Sequence, residues 1–264
     1  MLGSSICLAA KKRCLADTII GIDRCPETLD IAQQREAVDV VASELDVLTE
    51  INGGLAIICT PVRSIVGIAD RITATGNTVL ISDVGSTKAN ICRELERHHC
   101  RFVGAHPIAG SEKSGPEFGN ADLFQNCLTV LTPTTSNRSE DIEFLQRFWK
   151  ALGSHVRTLE PEQHDAILAK TSHLPHAIAA SLASLLTESE LPFCGTGFAD
   201  TTRIALGPPA VWTDIFLENR LQLLAFLEVF GNRLETLKTA LQDSDTAAIA
   251  RFLELAQKTL APAT

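Results

Sequence analysis

Two side chains that could do acid–base chemistry come directly after segments typical of β-strands. His106 ends the run RFVGAH, and Ser86 lies in a loop after the β-branched run Thr78–Asp83. Ligands of open α/β sheets bind beyond the carboxyl ends of the strands, so we expect both side chains to face one cleft. The imidazole of His106 can accept a proton near neutral pH, which makes it a candidate general base. Without further context, a His-Pro pair more often forms a turn, and Ser86 would serve as a helix N-cap.

The beginning of the chain carries part of a dinucleotide-binding pattern. Gly3 opens the helix-like run Ile6–Arg13, and the next strand ends at Asp23, about 20 residues later. In the fingerprint GxGxxG, the third glycine begins the helix that binds the pyrophosphate, and such an acidic residue binds the ribose hydroxyls. The charge of Asp23 repels the extra phosphate of NADP, so NAD is the expected cofactor, whereas the adjacent Arg24 leaves NADP open. A plain helix cap at Gly3 and an ordinary turn carboxylate at Asp23 are the alternatives.

The first strand of this pattern and its first two glycines are not in the sequence, because Gly3 corresponds to the third glycine. That strand lies in the centre of such a sheet, so its absence would leave the neighbouring strands without hydrogen-bond partners. We therefore expect the reading frame to begin about ten or more residues upstream of Met1. Intact-mass analysis of the native protein tests this, since a mass that matches residues 1–264 would refute it.

The first half of the chain predicts an α/β fold with a Rossmann-like parallel sheet, because β-branched runs alternate with helical stretches. The expected strands are Thr18–Asp23, Leu55–Cys59, Thr78–Asp83, Arg101–Gly104 and Cys127–Thr132. We interpret residues 1–135 as a dinucleotide-binding Rossmann-like domain that lacks its first strand.

The second half of the chain is predicted to be helical. After Pro133, long helical patterns occupy Pro161–Thr187 and Ala210–Leu241, with no strand-like segment between them. We interpret residues 136–264 as an all-α domain for substrate binding and dimerisation. This half is too apolar to be a solvated tail, so it should pack on itself, on the first domain or on a second subunit. A homodimer is the expected assembly.

Composition excludes several classes of partner. The formal charge of −9 disfavours nucleic acid, whose binding domains usually carry a basic face. No apolar run approaches the roughly 18 residues of a membrane span, so no membrane association is expected. The eight cysteines stand singly without a CxxC pair, which indicates free thiols, a cytoplasmic protein and no zinc site. The expected partner is therefore a small-molecule substrate.

Four motifs, taken together and in this order, resemble the prephenate and arogenate dehydrogenase family. They are DVGSTK at 83–88, GAHPIAGSEKSG at 104–115, HLPH at 173–176 and ADTTRIALGPPAVWTDIFLEN at 199–219. The resemblance extends over nearly the whole chain, and the second motif is highly specific. It implies an oxidoreductase that oxidatively decarboxylates prephenate or arogenate with hydride transfer to NAD. The product would be 4-hydroxyphenylpyruvate or tyrosine, in tyrosine biosynthesis.

The resemblance also implies roles for individual residues. His106 is similar to the catalytic histidine that hydrogen-bonds the ring hydroxyl, Ser86 to the serine beside it, and Arg203 to an arginine that binds a substrate carboxylate. Further substrate-site residues are Ser111, Glu112, His173, His176, Asp200 and Trp212, of which Trp212 could simply be core. The cofactor-binding residues are Gly3, Ser4, Ser5, Asp23, Arg24, Thr60, Pro61 and Gly85.

Several alternatives stay open at the level of sequence. No residue distinguishes prephenate from arogenate, which differ in a keto or an amino group on the side chain. One other function is a β-hydroxy acid dehydrogenase with a Rossmann and a helical domain, for which Lys170 would be the catalytic lysine although the motif around it does not fit. Another is a non-catalytic truncated paralogue. His173 and His176 share one helix face, but no third ligand accompanies them, so no metal is expected.

Overall fold

Seven short strands occur in the part of the chain that the structure, a computed structural model, describes: residues 1–109, 113 and 115–261. The strands are β1 (Ile20–Ile22), β2 (Val40–Ala42), β3 (Leu55–Ile58), β4 (Leu80–Asp83), β5 (Gly104–Ile108), β6 (Leu128–Thr132) and β7 (His155–Thr158). Strand β1 pairs with β2 and β3 with β4, both in parallel, whereas β6 pairs antiparallel with β5 and parallel with β7. The predicted α/β architecture is confirmed, with one antiparallel pair among parallel ones.

The carboxyl ends of β3 and β4 meet at one edge, because Ile58 pairs with Asp83. A single parallel bridge between Ile81 and Phe102 joins β4 to the segment that leads into β5. The strand expected at 101–104 was wrong in its bounds, since β5 begins only at Gly104. After that one bridge the backbone pairs with β6 instead. His106 therefore lies in the middle of β5, opposite Val130, and the expectation that it follows a strand was wrong.

Strands β2 and β7 were not predicted from the sequence. Neither strand has a fully buried residue: β2 is an apolar run of only three residues, VVA, and β7 reads HVRT with little apolar character. Strand β7 lies beyond residue 135, where the sequence analysis places the domain boundary, and it pairs with β6. The α/β part of the chain therefore continues to Thr158.

Eleven α-helices are present in the described residues. They are α1 (Leu2–Lys12), α2 (Pro26–Gln34), α3 (Ile65–Ala74), α4 (Ala89–Arg97), α5 (Ser139–Ala151), α6 (Pro161–Leu168), α7 (Leu174–Ala183), α8 (Thr196–Thr202), α9 (Pro209–Glu218), α10 (Arg220–Gln242) and α11 (Thr246–Leu260). A π-helical segment, Ala169–His173, joins α6 to α7, and Asn219 separates α9 from α10. The helical second half predicted from the sequence is confirmed from Pro161 onward, whereas strand β7 lies inside the range that was expected to be all-α.

Successive residues of β4 contribute to two different cores. Leu80 packs with residues of α1 and α5, including Trp149, whereas Ile81 packs with residues of α3 and α4, including Ile65 and Leu95. This period of two places helices on both faces of the strands. The loops at the carboxyl ends of the strands are then left to form a site.

The chain divides into two compact units, Met1–Asn219 and Arg220–Thr264. The second unit contains α10 and α11, and Asp245 caps α11 by accepting a hydrogen bond from the Ala248 N–H at 2.9 Å. Large apolar side chains of this unit are exposed, Leu221 to 73% and Leu260 to 83%. Within residues 1–109, 113 and 115–261, we find no helix that has both the length and the apolar character to span a bilayer.

Candidate active site

Asp83, at the end of β4, organises the loop that follows it. Its fully buried carboxylate accepts hydrogen bonds from the backbone N–H groups of Gly85 at 2.8 Å and Ala105 at 3.1 Å. It also forms an ion pair with the ammonium group of Lys88, which is itself fully buried. The contact with Ala105 ties β4 to β5 one residue before His106. Ser86 is half-buried and follows β4, and the buried His106 lies on β5 next to the residue that Asp83 contacts. Asp83 therefore links the two parts of the chain that carry these side chains.

His106 is a buried histidine on β5 with another histidine as its partner. Its Nδ1 lies 2.9 Å from Nε2 of His164, and the two ring centroids are 5.1 Å apart in an edge-to-face arrangement. Burial holds the pKa of His106 well below its usual value, and the nearby His164, Lys88 and His173 lower it further. His106 is therefore neutral near pH 7 and able to accept a proton.

His164 is in turn held by Asp165, the next residue of α6. His164 Nδ1 lies 2.8 Å from Asp165 Oδ1, and His164 is fully buried. The same carboxylate accepts the backbone N–H groups of Lys88 at 2.8 Å and Ala89 at 2.9 Å, so Asp165 caps α4 across 77 positions of sequence. The expected cap by Ser86 was wrong, since α4 begins at Ala89 with Lys88 at its N-cap position.

Asn219 connects this network to His173. The Asn219 side-chain amide donates to the Asp165 carbonyl oxygen at 2.8 Å and lies 3.0 Å from His173 Nδ1. Burial lowers the pKa of His173 from 6.5 to about 4. His173 is the last residue of the π-helical segment, and such segments are frequent at functional sites.

Several buried polar atoms have no hydrogen-bond partner within the described residues: Thr87 Oγ1, Trp149 Nε1, His173 Nε2 and His176 Nδ1. Buried polar groups are nearly always paired, and an orphan needs an explanation. All of these atoms except that of Trp149 belong to the DVGSTK and HLPH motifs. The atoms of these two motifs are available to a polar ligand.

His173 and His176 lie against the same indole, that of Trp212. The ring of His176 stacks on Trp212 with a centroid distance of 3.5 Å, and His173 meets it edge-on at 6.4 Å. Gly207 packs so closely on this pair that a Cβ atom there would collide with Trp212 Nε1. The half-buried Trp212 thus contacts two members of what we call the histidine cluster, which consists of His106, His164, His173 and His176.

Arg203 and Asp200 are exposed on the segment that leads to Gly207. Asp200 lies on α8, and Arg203 begins the 3-10 turn Arg203–Leu206, which packs against α7. Helix α7 starts directly after His173 and carries His176. Arg203 makes no ion pair within the described part of the chain. Ser111 and Glu112 lie outside the described residues.

The cofactor-site candidates of α1 have different surroundings, and Gly3 lies next to the end of β3. A Cβ atom on Gly3 would lie 3.3 Å from the Cβ of Cys59, which follows β3, so a side chain would crowd this contact. The Ser4 hydroxyl donates to the Pro116 carbonyl oxygen at 3.1 Å. The fully buried Ser5 hydroxyl donates to Met1 O and accepts the Asn120 N–H, both at 3.0 Å. The hydroxyl of Ser5 is thus already used by the protein.

The other cofactor-site candidates lie at the carboxyl ends of three strands. Asp23 follows β1 and accepts the Cys25 N–H at 2.9 Å, with the exposed Arg24 beside it. Thr60 and Pro61 are exposed after β3, and Gly85 is buried after β4. These positions correspond to the edge at which open α/β sheets bind ligands.

Sequence reasoning assigned no role to four residues of this network: Asp83, His164, Asp165 and Asn219. Asp83 and Asn219 stand at the ends of two of the family motifs. His164 and Asp165 lie outside those motifs, and the available signal was a His-Asp pair in the first turns of a helix. Nothing in the local sequence shows that this pair caps another helix.

A parallel α/β domain with ligand-binding loops at its strand ends, a buried neutral histidine and a helical part define a dehydrogenase of the Rossmann-plus-helical type. A family model described as the prephenate dehydrogenase nucleotide-binding domain matches residues 6–158. A second model, described as the prephenate dehydrogenase dimerization domain, matches residues 160–255. The chain belongs to the prephenate dehydrogenase family.

Individual relatives agree with this assignment. A cyclohexadienyl dehydrogenase of Zymomonas mobilis is 32% identical over 269 residues, which cover 98% of this chain and 91% of that protein. A prephenate dehydrogenase of Bacillus subtilis is also 32% identical, over 97% of this chain and 72% of that protein. The crystal structure of A. aeolicus prephenate dehydrogenase in complex with hydroxyphenyl propionate and NAD+ superposes with a TM-score of 0.92 at 30% identity. That superposition covers 98% of this chain and 93% of the other.

Proposed function

We propose that this chain carries out its family's reaction at the histidine cluster formed by β5, α6 and α7. The reaction is the oxidative decarboxylation of prephenate or arogenate, with hydride transfer to NAD. The observation that carries the proposal is His106, a buried histidine in the middle of β5 whose burial lowers its pKa, next to the residue that the Asp83 carboxylate contacts. Family membership supports this function over a β-hydroxy acid dehydrogenase that would use Lys170.

The chemistry needs a proton acceptor at the ring hydroxyl. As hydride leaves the hydroxyl-bearing carbon, a base takes up the hydroxyl proton and a carbonyl forms; carbon dioxide then departs as the ring becomes aromatic, and the proton returns to the oxygen to give the phenol. His106 accepts this proton, because an imidazole kept neutral by burial has a free lone pair at neutral pH. Ser86, in the loop that follows β4, is the candidate to orient the hydroxyl, a role carried over from the family resemblance. The rigid strand β5 and the Asp83 contacts hold both groups in place.

The substrate also carries carboxylates, which need cationic or hydrogen-bonding partners. Arg203 is the candidate for one carboxylate, since its guanidinium can donate two parallel hydrogen bonds and forms no ion pair in the described residues. The unpartnered His173 Nε2 and His176 Nδ1 supply further polar contacts. Asp200 and Trp212 border this region, and roles for Ser111 and Glu112 are carried over from the family resemblance alone.

The residues at the strand ends fit a dinucleotide cofactor. Gly3 lets α1 approach Cys59 closely, as the third glycine of the fingerprint does, and Asp23, which follows β1, is the candidate for binding the ribose hydroxyls. The helix start at Gly3 and Ser4 suits a pyrophosphate, and Thr60, Pro61 and Gly85 suit the nicotinamide half. NAD supplies the hydride acceptor when it is bound. Asp23 disfavours NADP, whose additional phosphate would lie near its carboxylate.

We further propose a homodimer and a domain division after Thr158. The apolar side chains exposed on α10 and α11 need a covering surface, and the family model for residues 160–255 is described as a dimerization domain. Light scattering coupled to size exclusion tests the assembly, and a monomer at micromolar concentration would contradict it. Cytoplasmic localisation stays a prediction from the cysteine pattern.

The function is tested by titrating the purified chain with NAD and then adding prephenate or arogenate while NADH absorbance is followed. We expect turnover with at least one substrate, and a loss of about 10²- to 10⁴-fold in kcat for His106→Gln with unchanged NAD affinity. His155→Gln is the control, because His155 is exposed on β7. A chain that binds neither NAD nor substrate would instead be the non-catalytic paralogue.

A further inference from the structure

The hydrogen-bond pattern around Asp165 restricts where the protons of two histidines can lie. An ionised carboxylate only accepts hydrogen bonds. Asp165 already accepts the backbone N–H groups of Lys88 and Ala89, and its third close neighbour is His164 Nδ1 at 2.8 Å. This nitrogen must therefore carry a proton, or two acceptors would face each other. Neutral His164 then has a bare Nε2.

The bare Nε2 of His164 determines the next contact. His106 Nδ1 lies 2.9 Å from it and must donate a hydrogen bond to it. A neutral imidazole has only one N–H, so the Nε2 of His106 is left as a free acceptor. The opposite arrangement requires a doubly protonated His164, whose Nε2–H would donate to His106 Nδ1 and would place the His106 proton on Nε2.

Three observations favour the neutral His164. Asp165 is stabilised by two backbone N–H groups at the start of α4, so it does not need a cation beside it. A neutral His164 with its single N–H on Nδ1 satisfies both of its polar contacts, to Asp165 and to His106. The groups that face His106 from the neighbouring elements are His164 of α6, His173 of the π-helical segment and Lys88 before α4. Lys88 is already cationic, so a second buried cation here would be repelled.

We propose that Asp165 and His164 fix the tautomer of His106, with the proton on Nδ1 and Nε2 free to take the proton of the substrate hydroxyl. In that step the hydroxyl O–H bond breaks, a His106 Nε2–H bond forms, and the electron pair stays on the substrate oxygen. The resulting imidazolium keeps its Nδ1–H bond to His164, and no proton moves to Asp165. His164 and Asp165 are positioning residues. This inference rests on the proposed function in its assignment of the substrate side to Nε2.

The tautomer can be observed directly by nitrogen NMR of protein labelled with 15N-histidine, without substrate. We expect the His106 resonances, identified by their loss in His106→Gln, to show a protonated Nδ1 and a bare Nε2 near neutral pH. Asp165→Asn should convert part or all of His106 to the other tautomer, because the amide can present a donor to His164. A wild-type His106 with its proton on Nε2 would overturn the proposal.

Kinetics separate positioning from general stability. Asp165→Asn and His164→Leu should each lower kcat about 10²- to 10⁴-fold with little change in NAD affinity, whereas His164→Gln, which keeps an acceptor, should recover part of the loss. Asp245→Asn is the matched control, since Asp245 caps α11 as Asp165 caps α4. In a His106→Gln background the His164→Leu change should have almost no further effect, and full additivity would contradict the proposal. If the tautomer is as expected but no variant or wild-type protein turns over substrate, the proposed function fails while the proton placement stands.

Discussion

Replacing Lys88 by methionine should destabilise the α/β part of the molecule severely. Lys88 and Asp83 form an ion pair in which both side chains are fully buried. Methionine preserves most of the side-chain volume but removes the cation beside the carboxylate. Removing one partner of a buried ion pair typically costs about 3–5 kcal/mol, because the other charge stays buried without compensation. Asp83 keeps its two backbone donors, so we expect the lower half of this range.

The assay is urea unfolding followed by tryptophan fluorescence. Trp149 is fully buried in the core between α5 and the strands, and all variants carry Trp212→Phe so that Trp149 alone reports. With a urea slope of about 2–3 kcal/mol per molar, a loss of about 3–4 kcal/mol lowers the midpoint by roughly 1–2 M. Lys12→Met is the control, because the Lys12–Asp122 pair is half-exposed, and its midpoint should match that of wild type.

A second variant tests the cause. Adding Asp83→Asn to Lys88→Met removes the stranded charge while an amide oxygen still accepts a backbone N–H, so the double variant should regain a large part of the loss. The reasoning is refuted if Lys88→Met unfolds at the wild-type urea concentration, or if the double variant is no more stable than the single one.

Three further results are expected. Arg203→Ala should raise the KM for prephenate about 10- to 100-fold with a much smaller change in kcat, and equal effects on both would exclude carboxylate binding by this residue. Asp23→Ser should narrow the preference for NAD over NADP by about tenfold, measured as the ratio of kcat/KM values, and an unchanged ratio would exclude a role in cofactor choice. Because burial lowers the pKa of His173 from 6.5 to about 4, the folded state binds fewer protons than the unfolded state in this range. Stability should be full above pH 6.5 and fall by about 3 kcal/mol as the pH drops toward 4, so the difference in urea midpoint between about pH 7.5 and about pH 5 should shrink in His173→Gln.

Local sequence patterns were sufficient for most of the α/β framework. Strands β1, β3, β4 and β6 are apolar and β-branched over most of their length and bounded by turn residues, so the sequence alone predicts them. The long helices followed from their own periodicity. Strand β7 (HVRT) escaped because its side chains are mostly exposed and carry little apolar pattern, and strand β2 (VVA) escaped because it is only three residues long.

The sequence by itself determined the family motifs, the order of strands β1, β3, β4 and β6 and of the long helices, and the histidine that follows RFVGA, because these depend on residues close together in the chain. Only the tertiary structure decided that Asp165 caps α4 across 77 positions and that His164 meets His106 across 58. Such contacts depend on how separate elements pack, and packing is decided by the burial of all their faces together. The local pattern around His164 and Asp165 is that of any helix start, so no inspection of neighbouring residues could have revealed the partner.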